Sequence, residues 1–273
     1  MSPGALAQRP RSRFVEHGGA RLHTLTFGGG GPALLVLPGI TSPAAVWDFV
    51  AEPLAREHTV SVLDLRGRGR SPAPDGSRHT LAEYSADAAA VIEGLALERP
   101  VVVGHSLGAR ILAALAVDRP DLVGTAILVD PPLCGPGRPP YPTPLAFYLD
   151  AISAARAGGV DVERIRRDHP GWSERQLRAR ARWLSSCDEH AVAEAYRHFH
   201  DEDFVSLWDR LAAPTLIYGS GSAVVPAAAV EELLARNPRA RAIAVEGAGH
   251  MIPWDQPERF GAALREAIGG PRR

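Results

Sequence analysis

Charge of one sign is missing from this chain. Its 30 Lys and Arg stand against 31 Asp and Glu, so no net field is available to hold a polyanion, and nucleic acid and anionic membranes are not expected partners. Cysteine is scarce too. Cys134 and Cys187 lie far apart and in no metal-ligand spacing, which suits two packed thiols in a reducing compartment while leaving a disulfide open. No apolar run is long enough for a signal peptide or a membrane span, and Met1 to Arg13 is a stretch of prolines and arginines. A cytoplasmic protein with a frayed start is therefore expected. The glycines at Gly28 to Gly31 lack the lysine of a phosphate loop. Pro32 leads straight into an apolar strand, so they read as a turn. No metal or organic cofactor is implied.

What is present is an alternation of strand and helix patterns. At 273 residues and 45% hydrophobic, the chain can bury a large core as one α/β unit carrying an insertion. Residues 13–27 alternate around Gly18-Gly19 as a hairpin. Strands are then expected at 33–37, 60–63, 100–103 and 126–129, separated by helices at 44–55, 81–95 and 107–117, which is the pattern of a parallel sheet covered on both faces. From Pro131 to about Trp208 the pattern is helical only, with stretches at 146–156, 173–185 and 190–199. The sheet resumes at 215–218 and 242–245, with helices at 227–236 and 257–268. The expected fold is a mostly parallel eight-stranded α/β sheet, its core 1–130 and 209–273, with a helical lid, 131–208, inserted after the sixth strand.

Gly104-His105-Ser106-Leu107-Gly108 follows a valine run and opens a helix. A serine between glycines at a strand-to-helix turn is how a nucleophile is held on a strained backbone, because neighbours with a Cβ would collide there. Its partners must come from loops at the carboxyl edge of the sheet. His250 ends the glycine-rich loop Glu246-Gly247-Ala248-Gly249-His250 after the last strand, where an imidazole can serve as base; His105, inside the turn, is expected to pack or bond locally. The loop 219–226 contains no carboxylate. Asp130, at the end of the preceding strand, becomes the expected acid that orients His250, although an aspartate before Pro131-Pro132 could simply cap the strand. Backbone N–H groups of Ile40 and Leu107 are the expected oxyanion donors, each worth roughly 3 kcal/mol in a transition state. Asp64 and Arg66, in Asp64-Leu65-Arg66-Gly67-Arg68-Gly69, read as scaffold that bonds crossing loops.

The serine turn, the Pro38-Gly39 loop, the Asp64 to Gly69 string and Gly249-His250 together resemble the α/β-hydrolase superfamily over nearly the whole chain. Longer strings, among them Pro38 to Pro43, Leu128 to Pro132, Gly135-Pro136-Gly137-Arg138 and Gly249 to Asp255, are similar within it to the deformylases of N-formyl amides, which also take their triad acid from the earlier strand end. The resemblance implies a serine hydrolase that releases formate from a small amide. Other small-molecule hydrolases (esterases, thioesterases, lactonases) and non-catalytic small-molecule receptors share the fold. Trp47, Arg110, Arg138, Tyr141, Phe147, His198 and Trp254 are the polar or aromatic residues expected to edge the pocket, with a guanidinium among them if the substrate is anionic.

Overall fold

The computed structural model describes residues 9–158 and 162–269; residues 1–8 of the expected frayed start lie outside them. The alternation around Gly18-Gly19 forms the hairpin of β1 (Arg11–His17) and β2 (Ala20–Phe27). Six further strands follow: β3 (Ala33–Leu37), β4 (Thr59–Leu63), β5 (Val101–His105), β6 (Thr125–Val129), β7 (Thr215–Gly219) and β8 (Arg241–Val245). They form one eight-stranded sheet in the order β1-β2-β4-β3-β5-β6-β7-β8. Only the hairpin and the β2–β4 pairing are antiparallel.

Successive side chains of the central strands enter opposite layers, as the period of two requires. Leu35, Leu37, Val102, Leu128 and Leu216 pack against one set of helices, and Leu34, Val36, Val103, Ile127, Val129 and Ile217 against the other. The chain supplies α1 (Asp48–Leu54), α2 (Leu81–Gly94) and α3 (Leu107–Asp118), then α4 (Leu145–Arg156), α5 (Val162–Asp168), α6 (Glu174–Leu184), α7 (Glu189–Asp201) and α8 (Phe204–Arg210) between β6 and β7. Last come α9 (Ala227–Arg236), α10 (Ile252–Asp255) and α11 (Pro257–Gly269). Residues of α2, α3, α8 and α9 share the first layer, and those of α1 and α11 share the second.

Three departures from the sequence pattern have local causes. The helix expected at 44–55 is split into a 3₁₀ turn, Ala44–Trp47, and α1, and the Ala44 N–H, which has no partner within the turn, donates to Asp64 Oδ1 at 2.6 Å. The short helices α5, α8 and α10 carry too few turns for a periodic signal; α8 is started by Asp203, whose side chain accepts from the N–H groups of Val205 and Ser206. That helix packs against α3 and α9, so it lies with the sheet layers, whereas α4 packs on α6 and α7, and α6 reaches the 3₁₀ turn. Cys134 and Cys187 are both buried free thiols. Among the described residues no helix is long and apolar enough to cross a membrane.

Candidate active site

Ser106 sits between β5 and α3 at φ 55°, ψ −117°, a left-handed conformation that a side chain seldom tolerates and that costs on the order of 1–3 kcal/mol. The glycines make the turn possible by close approach. A Cβ on Gly104 would lie 2.2 Å from the Gly108 carbonyl oxygen, and one on Gly108 only 1.9 Å from that of Leu37. Asp130, where the chain leaves β6, has the same unusual hand, φ 47°. Its N–H donates to the Ile217 carbonyl at 2.9 Å while the Ser106 N–H donates to that of Val129. The sheet ladder thus holds both turns, side by side, at its carboxyl edge.

His250 closes the gap. Its Nε2 lies 3.1 Å from Ser106 Oγ and its Nδ1 2.7 Å from Asp130 Oδ2. Two contacts fix its loop: Asp255 Oδ2 accepts from the Gly249 N–H at 3.0 Å, and His105 Nε2–H donates to the His250 carbonyl at 3.0 Å. Burial, with His250 alongside, lowers His105 to about 3, so it stays neutral and holds the loop as a donor. The local bond expected of His105 is therefore made across the site, to the backbone of His250.

Asp130 is fully buried, and burial raises its carboxyl above the ordinary aspartate range even though His250, Ser222 and Gly219 all favour the ionised form. Ser222 Oγ donates to Oδ2 at 2.6 Å, and the Gly219 N–H to Oδ1 at 3.4 Å. Both donors come from the loop that lacks a carboxylate. Ser222 escaped the sequence reading; a serine in the one strand-end loop without an acid was the available signal.

The loop after β3 is tied from below. Arg68 Nε donates to the Ile40 carbonyl at 3.0 Å, and the same guanidinium reaches the carbonyls of Arg66 and Ala191 and the Tyr84 hydroxyl. Asp64 accepts from Ala44 N–H, His23 and Arg70 N–H, and Arg66 forms a buried bidentate pair with Asp87, so both act on loop placement as expected of scaffold. Among the described residues, the N–H groups of Ile40 and Leu107 have no backbone carbonyl partner, which leaves them able to meet an oxyanion.

A cavity of about 300 Å³ opens onto Ser106 and His250, bordered by Gly39, Ile40, Thr41, Phe147, Trp172 and Arg180 among others. Of the residues expected at its edge, Phe147 lines it, and Tyr141 brings its hydroxyl to 3.2 Å from His250 Nε2. The others are elsewhere. Arg110 is completely buried, its guanidinium spent on the carbonyls of Pro132, Cys134 and Glu202, which pins the entry to the helical insertion. Arg138 forms a bidentate pair with Glu232, and His198 sits 3.9 Å from Glu202. Trp47 and Trp254 are buried against each other and against His105, behind the cavity wall.

The guanidinium that does border the cavity is Arg180 of α6, hydrogen-bonded to the Thr41 carbonyl and, at 2.7 Å, to Thr41 Oγ1. Among the described residues no carboxylate is within ion-pair distance of it, and burial pulls its pKa down. Its signal was an arginine on the buried stripe Gln176, Leu177, Ala181, Leu184. Arranged in this way, a hydroxyl, an imidazole and a carboxylate can pass the serine proton to nitrogen and hold the resulting cation, while two N–H groups face the adjoining space.

Comparison with known proteins gives the family. A model of the alpha/beta hydrolase family matches residues 34–263. N-formylmaleamate deformylase of Pseudomonas putida is 37% identical over 94% of this chain and 96% of its own length. The 2-(acetamidomethylene)succinate hydrolase of Mesorhizobium japonicum is 31% identical, covering 84% and 85%. The crystal structure of the N-formylmaleamic acid deformylase from Pseudomonas putida S16 superposes with a TM-score of 0.87 at 38% identity, covering 93% of this chain and all of that one. The chain belongs to the alpha/beta hydrolase family and is a hydrolase.

Proposed function

We propose that the protein cleaves a small amide, an N-formyl amide of the N-formylmaleamate type, through an acyl-enzyme on Ser106. Ser106 Oγ attacks the formyl carbon as His250 Nε2 takes its proton; Asp130 holds the Nδ1–H tautomer and balances the imidazolium. The N–H groups of Ile40 and Leu107 receive the oxyanion. The amide product leaves with a proton, and water, activated by His250, releases formate and restores the serine. The observation that carries this reading is the unbroken path from Ser106 Oγ to His250 at 3.1 Å and on to Asp130 at 2.7 Å.

Cavity size and charge support the substrate class. About 300 Å³ accommodates a small molecule, and a guanidinium on its wall without a carboxylate partner favours a substrate bearing a negative charge, since a buried cation is stable only when compensated. The relatives named for N-formylmaleamate and for 2-(acetamidomethylene)succinate have substrates that are themselves acyl amides carrying carboxylate. We further assign the helical insertion as a lid over this cavity, with its end near residue 203 rather than 208 because α8 packs with the core, and the cytoplasm as the site of action, in keeping with two free thiols. Formate release from N-formylmaleamate, measured against turnover of short and long p-nitrophenyl esters, tests the reading. Formate release as the fastest reaction supports it; ester or lactone turnover with no formate from the amide replaces it with an esterase.

A further inference from the structure

The reactive nitrogen of His250 has a second hydroxyl against it. Tyr141 Oη lies 3.2 Å from Nε2 and accepts from the Tyr148 hydroxyl at 3.4 Å. Its delivery is rigid. Tyr141 stands in Pro139-Pro140-Tyr141-Pro142-Thr143-Pro144, where the prolines fix φ along the segment. Its N–H donates to His200 Nε2 at 3.2 Å, and its ring packs on Phe199 and Tyr196. The side chain is 5% exposed, and burial pushes its phenol well above the usual tyrosine value. A phenol held this way keeps its proton at working pH and can act only as a neutral donor and acceptor.

Counting lone pairs restricts what it does. With Nδ1–H given to Asp130, neutral His250 offers a single lone pair at Nε2. Ser106 must use that lone pair to lose its proton, so in the reacting complex the Tyr141 O–H points away from the imidazole. Once Ser106 has attacked, Nε2 carries the proton and Tyr141 Oη is an acceptor within reach of it. The amide nitrogen of the tetrahedral intermediate has to be protonated from this same side.

We propose that Tyr141 relays the proton from His250 to the leaving nitrogen. As the carbon–nitrogen bond breaks and its electron pair passes to nitrogen, the Tyr141 O–H proton moves to that nitrogen and the imidazolium Nε2–H proton moves to Tyr141 Oη. The phenol is regenerated, His250 returns to neutral, and nothing is oxidised or reduced. Tyr148, donating to Tyr141 Oη, orients the relay so that the Tyr141 proton faces the leaving group. This step rests on Ser106 being the nucleophile of an acyl transfer, as proposed above.

The relay matters only for leaving groups that need a proton. Tyr141→Phe is therefore compared on N-formylmaleamate and p-nitrophenyl formate, which share the acyl group and differ in the group expelled; should the wild type spare the amide, ethyl formate takes its place as the poor leaving group. The expected result is a fall in kcat/KM of about 10²- to 10⁴-fold on the poor leaving group, the range for a lost acid–base contribution, with the p-nitrophenyl ester nearly unchanged because its phenolate departs unprotonated. Tyr148→Phe shifts the same ratio in the same direction by less. Equal losses on both substrates would reduce Tyr141 to positioning His250 and overturn the relay, as would no loss on either, once thermal melts show that the variants fold. A wild type that ignores the amide but cleaves both esters refutes the formyl-amide reading and leaves the relay to be judged on the ester pair.

Discussion

Asp130→Asn isolates how much of the acid's role is charge and how much is orientation. In the wild type Oδ2 accepts from both His250 Nδ1 and Ser222 Oγ, while Oδ1 meets only the Gly219 N–H at 3.4 Å. Ser222 is itself fixed as a donor, because its oxygen accepts the N–H groups of Val224 and Val225. An amide at this position is thus expected to turn its oxygen toward Ser222 and His250 and its NH₂ toward the weak Gly219 contact, which preserves the imidazole tautomer. What is lost is the charge, together with the 3.4 Å contact, because an NH₂ cannot accept from the Gly219 N–H. Two unit charges about 4 Å apart at an effective dielectric near 20 interact by about 4 kcal/mol, so kcat should fall by about 10³. Adding Ser222→Ala frees the amide to flip and present NH₂ to the imidazole; the wrong tautomer then brings the total loss beyond about 10⁴, the size of the serine-protease loss, and above the product of the two single losses. Ser222→Ala alone should cost about tenfold or less, since a carboxylate has no wrong face and loses one hydrogen bond. Steady-state hydrolysis of p-nitrophenyl acetate by the four proteins gives the cycle. Near-normal activity for Asp130→Asn would remove Asp130 from its assigned role, and strict additivity of the two changes would refute the pinning by Ser222.

Other outcomes follow from the same contacts. Arg180→Met should raise KM for an anionic amide by roughly 10-fold to 100-fold, the worth of a charged hydrogen bond, and leave neutral esters alone; equal effects on both would mean that Arg180 only supports Thr41. Asp87→Ala leaves Arg66 buried without its partner, both side chains being under a tenth exposed, and should cost about 3–5 kcal/mol in chemical denaturation, while replacing both residues with apolar ones recovers most of it; a loss below about 1 kcal/mol would contradict the burial argument. The acid limb of kcat/KM should lie above the ordinary aspartate range. Asp130 acts as carboxylate and burial raises its carboxyl, so protonation sets in at higher pH as acid is added, and activity that survives down to the free-aspartate range would contradict this assignment.

Much of the architecture was legible because its physics is local. Glycines around Ser106 mark a turn whose close approaches leave no room for a Cβ at Gly104 or Gly108, and the unbroken valine run of β5 marks a strand buried on both faces. The meeting of Ser106, Asp130 and His250 could be argued from topology, since all three stand at strand ends on one edge. The cavity wall could not. Arg110, in the first turn of α3, reads as an arginine at the pocket edge, yet its side chain runs to three carbonyls of the insertion; which loop covers a helix start is a tertiary fact with no trace in spacing. Arg180 was hidden for the converse reason. Its helix is charged on most sides, and only the placement of α6 over the 3₁₀ turn directs that one guanidinium to Thr41. Asp255, which joins the His250 loop to Trp172 of the insertion, sits in a single-turn helix too short to be seen as one.

The nucleophile itself is the most exposed point of the whole proposal. Incubation with a fluorophosphonate probe followed by peptide mass spectrometry should place one adduct on Ser106, and Ser106→Ala should remain unlabelled while melting like the wild type. An unlabelled wild type, or an adduct on any other residue, would contradict the assignment of Ser106, and with it the roles given to His250 and Asp130.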